Sequence, residues 1–161
     1  MYGKATETAI AAMTRLAEVY DGATSRLSAA DIAESRSLAA PFVAKVMTTL
    51  SQAQLVVGSR GPGGGFALAR APGEITLYQI WVLFEREDDS DICPFGGGIC
   101  GVGDPCPLHH KLVDVQKAVD QVLHNTTLEV FRKAYQEDGL RPAKRSPKRK
   151  PRKSYRAAGK K

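Results

Sequence analysis

The stretch LVVGSRGPGGGFALAR, residues 55–70, constrains the fold more than any other part of this chain. Two short runs of strand-forming residues, 55–57 and 66–69, flank a glycine-rich turn with one arginine at its tip. Three helical patterns precede this hairpin, and three helices followed by a hairpin is the element order of a winged helix-turn-helix. The sequence therefore predicts a mainly α fold with a small β-hairpin wing.

Apolar residues that recur at three- and four-residue steps define the predicted helices. They span about 6–20, 28–34 and 40–52. Ser28 is a suitable cap for the second helix, and Pro41 suits the first turn of the third, where no backbone donor is needed. After the hairpin, ITLYQIWVLFE begins another helix, in which Thr76 and Gln79 have capping-box spacing.

A long helix with a coiled-coil seam is predicted beyond residue 107. Its apolar residues follow a 4-3-4-3 spacing at Leu108, Leu112, Val115, Val119 and Val122. The seam can pair with its copy in a homodimer or pack against the chain's own domain. The opposite face of this helix is charged, which favours the homodimer. The segment TTLEVFRKAY predicts a short last helix.

The net charge of +6 is distributed very unevenly. Residues 141–161 hold 11 Lys and Arg residues and no acidic one, which leaves 12 basic against 17 acidic residues in positions 1–140, a formal charge of −5. Such a composition predicts a disordered basic tail. The tail either binds nucleic-acid phosphates without sequence preference or is only a solvated extension.

The N-terminal residues and the hydropathy pattern predict an intracellular, cytoplasmic protein with no membrane span. No run of about 18 apolar residues occurs, and residues 1–22 lack the apolar core of a signal peptide. Thiols stay reduced in that compartment, so the three cysteines indicate metal binding rather than disulfides.

All three cysteines lie in one glycine-rich segment, CPFGGGICGVGDPCPLHH, at Cys93, Cys100 and Cys106. Thiolates are the ligands that iron–sulfur clusters and zinc select. Pro107 can open the long helix, which places Cys106 at a helix N-terminus, where the dipole favours the thiolate. His109 follows Cys106 by three residues, so three sulfurs and one nitrogen are available as ligands.

Three occupants of this segment are open: an iron–sulfur cluster, a zinc ion in a Cys3His site, or none. Zinc sites usually pair ligands as C-x2–4-C, and no such pair occurs, which favours the cluster. We expect no enzyme and no small-molecule substrate, because no catalytic triad, phosphate loop or paired catalytic carboxylates are found.

Candidate DNA contacts lie on the third helix and the wing. Arg60 at the wing tip suits a narrow minor groove of high negative potential. The residues expected to face DNA are Arg36 as a phosphate clamp, Ala40, Ala44, Lys45 and Thr48 on the helix, and Ser59 and Arg60 in the wing. This surface is poor in side chains that read bases, so affinity for the DNA backbone is expected to dominate.

The wing sequence RGPGGGF followed by the cysteine trio resembles the family of iron–sulfur winged-helix transcription regulators that includes IscR and NsrR, over about residues 4–135. The resemblance implies a homodimeric transcription factor whose affinity for double-stranded DNA changes with cluster state. The three cysteines match cluster ligands. His109 matches the histidine that completes a 2Fe–2S cluster in IscR-like members, and Glu7 falls where a carboxylate of the partner subunit does so in NsrR-like members.

The predicted organisation is a winged helix-turn-helix domain in 1–75, a cluster-binding loop with dimerisation helices in 76–138, and the basic tail in 139–161. The favoured cofactor is a 2Fe–2S cluster, with 4Fe–4S as the other form. The alternative function is a zinc-stabilised winged-helix module that binds a protein partner without redox sensing. Glu7 also has a simpler interpretation, as a carboxylate that interacts with the dipole of the first helix.

Overall fold

The computed structural model describes residues 3–85, 93, 99, 102 and 106–138. The helices are α1 Lys4–Glu18, α2 Ala29–Arg36, α3 Ala40–Gln52, α4 Leu77–Trp81, α5 His109–Asn125 and α6 Glu129–Asp138. The strands β1 Val56–Ser59 and β2 Gly65–Leu68 form an antiparallel hairpin. The predicted fold class, mainly α with a small hairpin wing, is confirmed.

The first three helices pack through the apolar faces that their periodicity predicts. Met13 of α1, Ile32 of α2 and Met47 and Leu50 of α3 are fully buried in one core. Helix α3 has the bounds predicted for it, whereas α1 begins and ends two residues before the prediction. This packing leaves the opposite face of α3 open to solvent.

The wing is a tight hairpin tied to the segment before α2. Its register pairs Val56 with Leu68 and Ser59 with Gly65. Leu27 extends the sheet, since its N–H donates to the Phe66 carbonyl at 3.0 Å and its own carbonyl accepts from the Phe66 N–H at 2.8 Å. Gly65 is required there, because its φ is +151° and a Cβ would lie 2.7 Å from the Leu27 backbone.

Two predicted helix caps are present. The Ser28 hydroxyl accepts from the Asp31 N–H at 3.1 Å, and the Asp31 carboxylate accepts in return from the Ser28 N–H and hydroxyl. These bonds, the hydroxyl first, lower the pKa of the Asp31 carboxyl. The Thr76 hydroxyl likewise accepts from the Gln79 N–H at 3.3 Å. Local sequence therefore determines where α2 and α4 begin.

The core extends across residue 75, the predicted domain boundary. Ile75 and Ile80 are fully buried together with Leu128, which follows α5. Backbone bonds join the same regions, since the Leu128 N–H donates to the Ile75 carbonyl at 2.9 Å. The division into 1–75, 76–138 and 139–161 stays a prediction, and residues 139–161 lie outside those described.

Helix α5 leaves most of its apolar seam uncovered. Leu123 is its buried residue, whereas Val115, Val119 and Val122 are 61%, 37% and 55% exposed. Leu108, just before the helix, is exposed as well. Across the residues described, no helix combines the length and the apolar character that a membrane span needs.

Candidate metal centre and nucleic-acid interface

Two of the three cysteines come together beside the start of α5. The Cys93 and Cys106 sulfurs are 3.8 Å apart, and Cys93 is buried. A disulfide needs about 2.05 Å. Two thiolates bound about 2.3 Å from one tetrahedral metal lie about 3.8 Å apart, so this spacing fits two ligands of a single metal atom. Cys100 lies outside the described residues.

The predicted fourth ligands are placed differently. His109 is the first residue of α5, and its N–H donates to the Cys106 carbonyl at 2.9 Å. The helix thus begins at His109 and not at Pro107, so Cys106 precedes it by one tight turn. Glu7 is exposed in the first turn of α1. Among the described residues, neither forms a group of three potential metal ligands with the two cysteines.

Glu85, which the sequence did not single out, joins the N-terminus of α1 to the segment that follows α4. Its carboxylate accepts from the Gly3 N–H at 2.6 Å and also from the Thr6 hydroxyl. Thr6 is fully buried. No sequence pattern indicates a bond between residues that lie 82 positions apart.

The solvent face of α3 contains most of the residues expected to contact DNA. Ala44, Lys45 and Thr48 are exposed, and the Thr48 hydroxyl donates to the Ala44 carbonyl at 3.0 Å. Ala40 differs from the prediction, since it is half-buried and packs against the core. Ala40 is the first residue of α3.

Arg36, which is predicted to clamp a phosphate, contacts α1 in the structure. Its Nη2 lies 2.5 Å from the Glu18 carboxylate, and its Nε donates to the Ala11 carbonyl at 3.2 Å. The side chain is 15% exposed. Because Glu18 pairs with its guanidinium, Arg36 fastens α2 to α1, and its role as a phosphate clamp stays a prediction.

The wing presents Ser59 and Arg60 as exposed residues. Within the described residues, Arg60 has no carboxylate partner. A second arginine, Arg26, reaches the same hairpin, because its Nη1 lies 3.4 Å from the Val57 carbonyl. Sequence reasoning missed Arg26, since only the pairing of Leu27 with Phe66 brings it to the wing.

The turn before Arg26 is ordered by one carboxylate. Asp21 accepts from the Ser25 hydroxyl at 2.7 Å and from the N–H groups of Ser25 and Thr24 at 2.8 and 3.0 Å. These bonds, chiefly that from the Ser25 hydroxyl, lower the pKa of the Asp21 carboxyl. The turn thereby fixes the backbone from which Arg26 extends.

Sequence comparison identifies relatives among bacterial transcriptional regulators. A profile of the Rrf2 family, described as iron-dependent transcriptional regulators, matches residues 2–133. An HTH-type transcriptional regulator of Aquifex aeolicus is 33% identical over 101 residues, which cover 62% of this chain and 70% of that protein. IscR of Cronobacter sakazakii is 30% identical over 99 residues, and the match spans only 60% of its length.

Solved structures show the same fold. CymR, the global cysteine regulator of B. subtilis, superposes with a TM-score of 0.67 at 24% identity, over 83% of this chain and 97% of CymR. T. potens IscR also gives 0.67 at 24% identity, over 87% and 91%. At this identity the likeness establishes the winged-helix fold and its long helix.

Proposed function

We propose, from the premise that this chain belongs to the Rrf2 family of transcriptional regulators, that it binds double-stranded DNA in the cytoplasm as a homodimer and that an iron–sulfur cluster controls its DNA affinity. Family membership rests on the match across residues 2–133. The relatives are transcriptional regulators and not enzymes.

The observation that carries the cluster proposal is the 3.8 Å separation of the Cys93 and Cys106 sulfurs. This distance suits a shared tetrahedral metal, either iron or zinc. The absence of a C-x2–4-C pair from the sequence and the description of the family as iron-dependent favour iron. We assign Cys100 as the third thiolate. When bound, the cluster supplies a charge and geometry that oxidation, iron loss or nitric oxide alters.

His109 is the fourth ligand that we favour, in a 2Fe–2S cluster. It follows Cys106 by one turn and is joined to it by a backbone bond. Glu7 of the partner subunit is the competing ligand, since it is exposed on α1. We expect His109→Ala to change the absorption spectrum of the cluster, with His110→Ala as the matched control. An unchanged spectrum, together with a shift in Glu7→Gln, would assign the ligand to Glu7.

The homodimer proposal rests on the exposed apolar seam of α5. Val115, Val119 and Val122 stay open in one protomer although their spacing is that of a coiled coil. The charged face of the helix lies opposite. A second α5 packed on this seam would cover the valines and place two winged helices for two half-sites of a palindromic DNA duplex.

We assign DNA contact to α3 and the wing. Ala44, Lys45 and Thr48 enter the groove, while Ser59 and Arg60 contact the neighbouring backbone. We add Arg26 to the predicted DNA contacts and leave Arg36 and Ala40 out of the proposed set. The Val57 carbonyl that Arg26 approaches is three residues before Arg60, about 10 Å along an extended strand. That length is about three base pairs of rise, so both guanidinium groups can reach one stretch of backbone.

The test is anaerobic purification followed by iron, zinc and acid-labile sulfide analysis. We expect about two iron and two sulfide per protomer, whereas about four of each would indicate a 4Fe–4S cluster, in which Cys93 and Cys106 would bind different irons. Cys93→Ser and Cys100→Ser should lose both. Zinc without sulfide would overturn the proposal in favour of a zinc-stabilised module that binds a partner.

A further inference from the structure

We infer that Glu85 is a positioning residue that fastens the segment after α4, from which the chain continues toward the cysteines, to the N-terminus of α1, so that Glu85 and this end of α1 move as one unit. The inference rests on the proposed function for its regulatory consequence, although the contact itself is a property of the folded chain. Glu85 is the last described residue before the segment, and Cys93 follows eight positions later.

The carboxylate of Glu85 performs the capping that α1 lacks. Gly3, the N-cap residue, has no side chain to accept a helix N–H. Glu85 supplies a negative charge at this end instead, which the helix dipole favours, and it accepts from the Gly3 N–H at 2.6 Å. A Cβ at Gly3 would lie 3.0 Å from the Glu85 oxygen, so glycine permits this approach.

A buried hydroxyl makes the contact specific. Thr6 is fully buried and donates to the same Glu85 oxygen as Gly3. A buried hydroxyl without a partner is unfavourable, so α1 in this position requires an acceptor here. Glu85 is in turn held by α4, because its own N–H donates to the Trp81 carbonyl at 3.1 Å.

Helix α1 carries a second attachment at its other end. The Glu18 carboxylate binds Arg36, the last residue of α2, directly before the turn into α3. The 15 residues of α1 span about 22 Å, from the Glu85 contact to the Arg36 contact. A displacement of the chain at Glu85 would therefore be transmitted along α1 to the turn before α3, the helix to which we assign DNA contact.

The test compares Glu85→Ala, Glu85→Gln and Thr6→Val in the full-length protein, with Glu74→Ala as a control at an exposed glutamate. Amide hydrogen exchange is measured on cluster-free protein. We expect Glu85→Ala to accelerate exchange in the first turn of α1 at least tenfold, Thr6→Val less, and Glu74→Ala not at all. Glu85→Gln should stay near wild type, since its amide oxygen still accepts. The double variant Thr6→Val/Glu85→Ala should exceed Glu85→Ala only slightly.

A second measurement tests the regulatory consequence. The ratio of DNA affinities of cluster-loaded and cluster-free protein should fall at least fivefold in Glu85→Ala, because residue 85 no longer fastens the N-terminus of α1. Unchanged exchange in Glu85→Ala and Thr6→Val would overturn the inference. An altered cluster spectrum in Glu85→Gln, with Thr6→Val unaltered, would also overturn it and make Glu85 a ligand. Because exchange needs no cluster, a protein without one would refute the proposed function and leave this test intact.

Discussion

Helices α3 and α5 both carry a regular apolar repeat, but the repeat of α3 is buried and that of α5 is exposed. In α3 the residues Val43, Val46, Met47 and Leu50 are at most 2% exposed, because α1 and α2 cover them. In α5 the valines at 115, 119 and 122 remain open to solvent. The periodicity of a sequence therefore identifies the apolar face of a helix but not the surface that covers it. Helices α1, α2 and α3 bury their apolar faces against one another, whereas the apolar seam of α5 stays exposed in one protomer.

The attachments of α5 sharpen this contrast. It is fixed at its C-terminal end, where Leu123 is buried and the His124 ring stacks on Tyr78 at 3.9 Å between centroids. The Thr126 carbonyl there accepts from the Leu77 N–H at 3.0 Å. The cysteine pair lies at the opposite end. A change at the cysteines would therefore act at the N-terminal end of α5, whose C-terminal end is anchored to α4.

The largest expected effect comes from charging the seam. In Val115→Asp/Val122→Asp, two carboxylates replace apolar contacts, so the homodimer should dissociate and DNA affinity should fall about 100-fold or more through lost bivalency. Light scattering and a DNA titration measure both. Val130→Asp on α6 is the matched control, since Val130 is as exposed as Val122 but lies outside the seam. A dimer that persists in the seam variant would contradict the proposed interface.

A cavity in the core formed by α1, α2 and α3 should lower the free energy of unfolding, whereas a substitution on the exposed face of α3 should not. Met47 is fully buried, and Met47→Ala should lower the free energy of unfolding by about 2–5 kcal/mol. Lys45→Ala, on the exposed face, should stay within about 0.5 kcal/mol. Urea denaturation followed by circular dichroism distinguishes them. Equal losses would mean that α3 has no solvent face free for DNA.

Arginines that contact DNA and arginines that only stabilise the fold should differ in how their substitution changes the salt dependence of DNA affinity. Arg60→Gln and Arg26→Gln should each reduce the slope of log K against log salt by about 0.9, the value for one phosphate. Lys133→Gln on α6 controls for the loss of one charge. Arg36→Gln should leave the slope unchanged and lower stability, because its partner is Glu18. A slope reduced in Arg36→Gln would restore that residue as a phosphate contact.

The smallest effect concerns the cap of α2. Ser28→Ala should cost about 1 kcal/mol at pH 7. The Ser28 hydroxyl lowers the pKa of the Asp31 carboxyl from 3.8. The stability that this carboxylate contributes is therefore fully present above pH 3.8 and is lost as the pH falls through its lower pKa in the folded state. Urea titrations at pH 7, 5 and 3 should show a smaller difference between the wild type and Ser28→Ala at pH 3 than at pH 7. A gap of constant size would contradict the role of the carboxylate.

Features set by neighbouring residues were predictable, and features set by distant ones were not. The Ser28 cap and the bounds of α3 follow from local patterns, as does the hairpin, whose strands lie within two residues of the prediction. The ion pair of Arg36 was not predicted, because its partner Glu18 is 18 residues away. Arg26 and Glu85 were missed for the same reason, since pairing across the fold gives them their roles.

The prediction of the metal site went as far as residue types allow. Three thiols in a glycine-rich segment identify soft-metal chemistry, and the structure brings Cys93 and Cys106 to ligand spacing. Spacing in the sequence cannot decide between His109 and Glu7 of the partner subunit, because that choice depends on the packing of two protomers.

The most direct measurement of the central claim is an anaerobic titration of one DNA duplex, at one salt concentration, with cluster-loaded and cluster-free homodimer. We expect the two dissociation constants to differ at least fivefold, since in the proposed function the cluster acts at the N-terminal end of the dimer helix α5. Equal constants for two forms that are both dimeric would contradict it.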